Sequence, residues 1–419
     1  MKKALLWMLA AILISGASVF TACTVDSADN PVIPEPPKVI DLATLTEDYT
    51  IQDGEKLTGT MARDFHITVA DGASITLEDV SINAEGIWNI DDSFAGIACL
   101  GDATITLSGT NVIRSINGYY PAIFVPEGYT LTFQGEGSLD VKSSGPSANL
   151  LCAAIGSVCA GANCGNLVFL GGKIYAEGGD GAGAIGASYM STCGDITIGG
   201  TAEITVVGNK KGAGIGSGSG PYDQMSMCGD ITIGGQAKVD ATGEPAIGPY
   251  SFAKCGNITI GEDAYVVAKG ILYAPGIGCG NSYSWCKAIT ISGGTVIASC
   301  EKWGPGIGAS GAGKSICESI TITGGTVLAI GGEDGPGIGS GPDSTDGIPI
   351  VITSGATEVT AVRGSDKADF IGTGDLGTRG SVIIDGVENA TPESTFPNIK
   401  SWVYENRWTL STDTGTGIK

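Results

Sequence analysis

Six cysteines recur through the middle of this chain: Cys164, Cys193, Cys228, Cys255, Cys286 and Cys317. They open the cassettes CGNLVF, CGDITI, CGDITI, CGNITI, CKAITI and CESITI. Thiols that return roughly every 30 residues could do three kinds of chemistry. Stacked turns would bring their backbones within the Cα range that a disulfide accepts, so neighbouring turns could be bridged. Zinc could be held, but no C-x-x-C spacing or His-rich stretch accompanies the thiols. The third role is that of small apolar side chains in a core. Cβ vectors in a stack run parallel rather than toward each other, which favours unpaired thiols.

Aromatic rings make a second pattern. The segments before four consecutive cysteines carry Tyr189, Tyr222, Tyr250 with Phe252, and Tyr283 with Trp285, in a chain only 6% aromatic. Tyr273 and Trp303 each sit just before a PGIG segment. If the loops occupy one edge of successive turns, the rings form a stripe that could stack on sugar faces. The other reading is that they cover glycine-rich backbone. Both stay open.

Acidic and amide residues follow the cysteines at Asn166, Asp195, Asp230 and Asn257, until Ala288 and Ser319 interrupt the series. A calcium-binding stack is one use for such oxygens; turns stabilised by Asx side chains are the simpler one. Asp180, Glu244 and Asp334, ahead of the GIG segments, are equally ambiguous. A glycosidase needs two carboxylates at a set separation, and the doublets Glu47-Asp48, Asp91-Asp92 and Glu333-Asp334 lack a supporting constellation. The single histidine, His66, cannot build a triad or a metal cage and reads as a strand residue of the first coil. A lyase base would have to come from scattered lysines such as Lys210, Lys211, Lys238 and Lys254, because no arginine lies between Arg114 and Arg363. GAGIGSG lacks the GK[ST] ending of a phosphate loop. No catalytic residues and no cofactor are expected, with calcium the one ion left open.

The elements that must position these residues follow from three ladders with one period. An isoleucine before a small residue recurs at Ile97, Ile123, Ile155, Ile185, Ile215, Ile247, Ile277, Ile307, Ile338 and Ile371. An ITI-like triplet starts at Ile75, Ile105, Leu131, Leu167, Ile196, Ile231, Ile258, Ile289, Ile320, Ile350 and Val382. Residues 286–316 show one full unit. ITI alternates as a half-buried strand does, a Gly-Gly pair bends the chain, TVIAS puts Val296 and Ala298 on one face, and GPGIG supplies a third side. The 68 glycines suit corners that need positive φ. These features predict an all-β, single-stranded parallel β-helix of ten to eleven turns with terminal caps, right-handed as parallel crossovers are. Stacking buries an apolar face that one turn cannot bury alone, and Thr197, Thr232, Thr259, Thr290 and Thr321 should face outward.

The predicted division is an export signal over 1–22, an acidic proline-rich tether over 23–38, the β-helix with its first cap over 39–391, and a closing cap over 392–419 that carries Trp402, Tyr404 and Trp408. The first segment has a basic start, an apolar run and a small-residue exit. Thr21-Ala22-Cys23 resembles a bacterial lipoprotein signal, in which the cysteine is lipidated and anchors the protein to the membrane; plain cleavage near Ala22 is the alternative. With Cys23 set aside, the remaining cysteines are odd in number, so they cannot all pair. The net charge of −22 argues against nucleic acid, which needs a basic footprint. Acidity of this kind keeps an exported protein soluble.

DLATLTEDYTIQDGEKLTG, HITVADGASITLEDVSI, FAGIACLGDATITLSGTNVI, YYPAIFVPEGYTLTFQGEGSLDV and the CGDITIGG and GAGIGSG repeats together resemble a group of surface lipoproteins from gut Bacteroidales. The resemblance spans residues 1–411. It implies an adhesin-like β-helix related to carbohydrate-binding domains of non-catalytic polysaccharide-lyase shape, with no catalytic residue carried over. The expected protein is a monomeric, outer-membrane, surface-exposed binding module for polysaccharide or glycoconjugate. Adhesion to a protein, a structural envelope role and a degenerate lyase remain the alternatives.

Overall fold

The computed structural model describes residues 36–61, 65–83, 94–115, 120–143, 152–311, 313–388 and, as backbone, 399–403. The signal segment, Cys23, most of the tether, Arg63, the Asp91-Asp92 doublet, Tyr404 and Trp408 lie outside these residues. Among them the one helix is a 3-10 turn, Leu42–Thr44, and no helix is long and apolar enough to cross a membrane.

The chain is a parallel β-helix. One sheet stacks 12 strands in chain order. Its rungs are the isoleucine ladder: Ile97 pairs with Ile123, and the pairing continues residue on residue through Ile371. Two more rungs precede it, Tyr49–Ile51 and Ile67–Val69, with Val69 against Cys99. The stack thus reaches down into the segment expected to cap it, where Val39 also pairs with Lys56. The ITI strands and the following strands share a second, larger sheet that wraps the other two faces.

The ITI ladder holds its expected register from Leu131 to Val382. It departs once. Leu131 stands over Ala103, and Phe133 over Ile105. A slip of two keeps every side chain on its own face, because side-chain direction alternates with period two. It also places Phe133 in the bore, where it stacks on Phe169 with ring centroids 5.2 Å apart. At the far end, Val387–Glu388 folds back antiparallel on Ile383–Ile384, and strand 399–403 lies parallel on 359–363. Both pairings cover edges that would otherwise be open to another chain.

Why Cys-Gly-Asp repeats is visible at its corner. The cysteine points into the core and is buried. The Asx side chain reaches the next turn: Asp195 N–H donates to Asn166 Oδ1 at 2.9 Å, Asp230 N–H to Asp195 Oδ1 at 2.8 Å, and Asn257 N–H to Asp230 Oδ1 at 2.7 Å. A side chain at Gly229 would collide with Asp195 Oδ1, and one at Gly256 with Asp230 Oδ1. Lys287 takes the glycine position one turn later, and there the Ala288 N–H to Asn257 Oδ1 contact lengthens to 3.4 Å. From that turn the corner straightens into one long strand, Trp285–Cys300.

Glycines of the GIG segments serve a different need, one that corner geometry does not cover. They lie inside the isoleucine strands with positive φ, +127° at Gly278, and a Cβ on Gly278 would run into the carbonyl oxygen of Gly308. Gly278→Ala should therefore lower unfolding stability by about 2–4 kcal/mol. Gly54→Ala, at a corner of φ +75° with open space around it, should cost only about 1 kcal/mol. Chemical denaturation of both variants checks the contrast; equal losses would count against close packing of the glycine ladder.

Candidate functional site

Inward cysteines fix the parity of the strand before them. The residue preceding each cysteine must face outward. Register pairs Thr192 with Met227, Met227 with Lys254, Lys254 with Trp285, and Trp285 with Ile316. These side chains form a row up the outer face, one per turn. Met227, Trp285 and Ile316 are exposed despite their apolar character. Lys254 Nζ lies 5.0 Å from the Trp285 ring centroid, a cation–π distance, and the Trp285 indole N–H donates to Glu318 Oε1 at 3.1 Å.

The loops beside this row bring three of the expected rings together. Tyr222 meets Phe252 edge-on at 6.1 Å and Tyr283 edge-on at 5.7 Å, while Phe252 stacks on Tyr283 at 5.3 Å. Phe252 and Tyr283 hold positive φ, 48° and 55°, a conformation that bulky residues seldom adopt. Tyr222 is 74% exposed and Trp285 40%. Between rings and row opens a cleft of about 360 Å³ lined by Tyr222, Met225, Lys254, Tyr283, Ser284, Trp285, Lys314 and Ile316. Its lining combines aromatic rings with two ammonium groups and phenolic hydroxyls.

The other expected rings lie elsewhere. Tyr250 is only 7% exposed. It follows the buried strand Ile247–Pro249, and its hydroxyl turns to the buried Glu244 carboxyl, which corrects its place in the exposed stripe. Tyr189 is half-buried one turn below the cluster. Tyr273 and Trp303 pair with each other, centroids 5.5 Å apart, at the opposite end of the isoleucine strand. The Trp303 indole N–H donates to Glu333 Oε2 at 3.0 Å. They make a second, separate patch rather than an extension of the first. Met227, Lys254 and Ile316 join the row without having been expected there. Their signal is the position before each cysteine, legible once the cysteine is known to point inward.

The described cysteines stand without S–S bonds in this structure, and all but Cys159 are buried. Cys193 lies against Cys228, and Cys286 between Cys255 and Cys317. Burial pushes the Cys255, Cys279 and Cys286 thiols above their ordinary range, which suits core side chains rather than nucleophiles. Among the described residues, no group of three or more His, Cys, Asp or Glu side chains is placed to hold a metal ion. Of the acidic doublets, Asp334 accepts from the Ser365 hydroxyl at 2.7 Å, and Asp48 accepts from the His66 N–H at 2.8 Å. His66 itself is exposed just ahead of strand Ile67–Val69, not within it. Lys238 pairs with Glu203 at 2.9 Å.

A family model described as a beta helix repeat matches residues 289–311 and 320–342. Those two segments are successive turns of the stack and adjoin the cleft. With the fold, they define a β-helix repeat protein. Searches of curated proteins and of solved structures returned no match.

Ahead of the strand Ile247–Pro249, burial raises the Glu244 carboxyl above its ordinary pKa, although the Lys211 backbone and the Tyr250 hydroxyl hydrogen-bond to it. Such a group lends stability below the unfolded-state pKa and loses it as pH rises through the folded value. Glu244→Gln should therefore raise the thermal midpoint at neutral pH, and its advantage should vanish in acid below the usual glutamate range. Thermal unfolding across that range checks the sign; an advantage that grows in acid would contradict it.

Proposed function

We propose that this protein is a non-enzymatic binding module of the bacterial cell surface whose ligand is a polysaccharide or glycoconjugate. The observation that carries the reading is the cleft in which Tyr222, Tyr283 and Trp285 present exposed rings beside Lys254 and Lys314. Ring faces take the apolar faces of sugar units, and the flanking ammonium and hydroxyl groups take their oxygens. Rigid aromatic side chains lose little entropy on binding. The row runs through several turns, so a polymer would meet weak contacts in series and gain by effective concentration.

Calcium is left to the test below: the Oδ1 atoms of Asn166, Asp195 and Asp230 accept backbone N–H groups of the next turn, which supports reading them as corner residues. Attachment through a lipidated Cys23 at the outer membrane belongs to the same proposal and rests on the signal-like N-terminus and the resemblance to surface lipoproteins. A protein partner is the second reading, favoured by the exposed apolar side chains of Met227 and Ile316, since fully desolvated apolar anchors dominate protein interfaces.

A glycan array probed with and without calcium tests the first reading. On each glycan bound, the double variant Tyr283→Ala/Trp285→Ala should be retained at least about tenfold more weakly, with circular dichroism unchanged. Unchanged retention would remove the cleft as the binding site. A blank array with tight capture of a purified surface protein would favour the second reading, and release of unsaturated sugar products would overturn the non-enzymatic one.

A further inference from the structure

Cys279 stands apart from the cysteine ladder. It ends the strand Ile277–Cys279 on one face of the coil, while Cys286 lies in the strand of the next face. Their side chains meet across a corner of the coil, whereas ladder partners meet along the stack. Cys279 Sγ lies 2.8 Å from Cys286 Sγ, against about 2.05 Å in a disulfide. At the position of Cys279, the paired turn above carries Ala309, and lower turns carry Ala187, Ser217 and Pro249. Cys99 holds the equivalent place in a turn below the ladder; among the described turns that carry a ladder cysteine, Cys279 is the one thiol at this position.

The chain between the two thiols is Gly280 to Trp285, the loop that presents Tyr283 and Trp285 to the cleft. Ser282 and Tyr283 hold φ of 34° and 55° there, a conformation that persists only when its surroundings impose it. We propose that Cys279 and Cys286 are a modification site, joined as a structural disulfide that staples the base of this loop and holds both rings in place. The bond forms by exchange with a small-molecule or protein disulfide. Two S–H bonds break and one S–S bond forms, and two protons and two electrons reduce the oxidant to a pair of thiols. Both sulfurs are fully buried, so this happens during folding, before the coil closes, and a reductant in solution does not reach the bond afterwards. The staple stands independently of what the cleft binds; its benefit to binding rests on the proposed function.

The test refolds the reduced, denatured full chain in a glutathione redox buffer. Remaining thiols are alkylated under denaturing conditions and the peptides mapped by mass spectrometry. The expected result is a Cys279–Cys286 link, two hydrogen masses lighter, with Cys193 and Cys228 alkylated. Alkylation of both Cys279 and Cys286, or a link from Cys286 to Cys255 or Cys317, would overturn the proposal. Cys279→Ala places the residue found at 309 and should fold, with Cys286 alkylated. Hydrogen exchange over 280–285 gives a readout free of any glycan: the linked protein should exchange at least several-fold more slowly than Cys279→Ala, and equal rates would overturn the stapling role. Loss of glycan binding in both forms would count against the cleft alone.

Discussion

Close approach of glycine backbones in the isoleucine strands is the constraint on which the rest of this structure depends. From Gly156 to Gly372, each GIG glycine carries a φ that side chains resist, and a Cβ on most of them would meet the backbone of the next turn. Turns can stack there only with glycine on glycine, which forces isoleucine on isoleucine. Once that register is set, the remaining faces follow. The ITI strands fill the bore, the cysteines point inward, and the residue before each cysteine points out. The outward row is thus a consequence of backbone packing on the neighbouring face of the coil.

Charge is distributed by the same logic. A chain of net charge −22 would be expected to carry a broadly repulsive surface. Many of its acids are engaged locally. Asp71, Asp79, Asp102, Asp195 and Asp230 each accept a backbone N–H from the turn above, and Glu203 bridges Lys173 and Lys238 on its neighbours. Exposed pairs of the second kind add little stability. The Asx bonds satisfy backbone donors at corners where the strand ladder lapses, and leaving such donors bare would be costly. Around the cleft the balance differs, with Lys254 over an indole and Lys314 on the rim.

Much of this architecture was legible in the sequence because inward positions repeat by identity. Ten isoleucines, the threonines from Thr197 to Thr321 and all but one step of the ITI triplets pair as their period predicts. The two-residue slip at Leu131 was not legible, because both registers bury apolar side chains. The outward position before each cysteine carries no repeating identity: Thr192, Met227, Lys254, Trp285 and Ile316 are five different residues on one row. Grouping aromatics by loop found Tyr222, Phe252, Tyr283 and Trp285. It also swept in Tyr250, which a buried strand and Glu244 draw inward, and Tyr273 and Trp303, which belong to the far end of the isoleucine strand. The candidate site lies where the repeat is free to vary, so period alone does not reveal it.

The most direct test is the straightness of that outer row. Spin labels at Thr192→Cys and Ile316→Cys, in a background with the native cysteines replaced by alanine or serine, report the distance across four turns. At about 4.8 Å per turn the account predicts a backbone separation of about 19 Å with one narrow distribution. A broad distribution, or a separation several ångströms away after allowance for label length, would contradict a single register and with it the site built on that row.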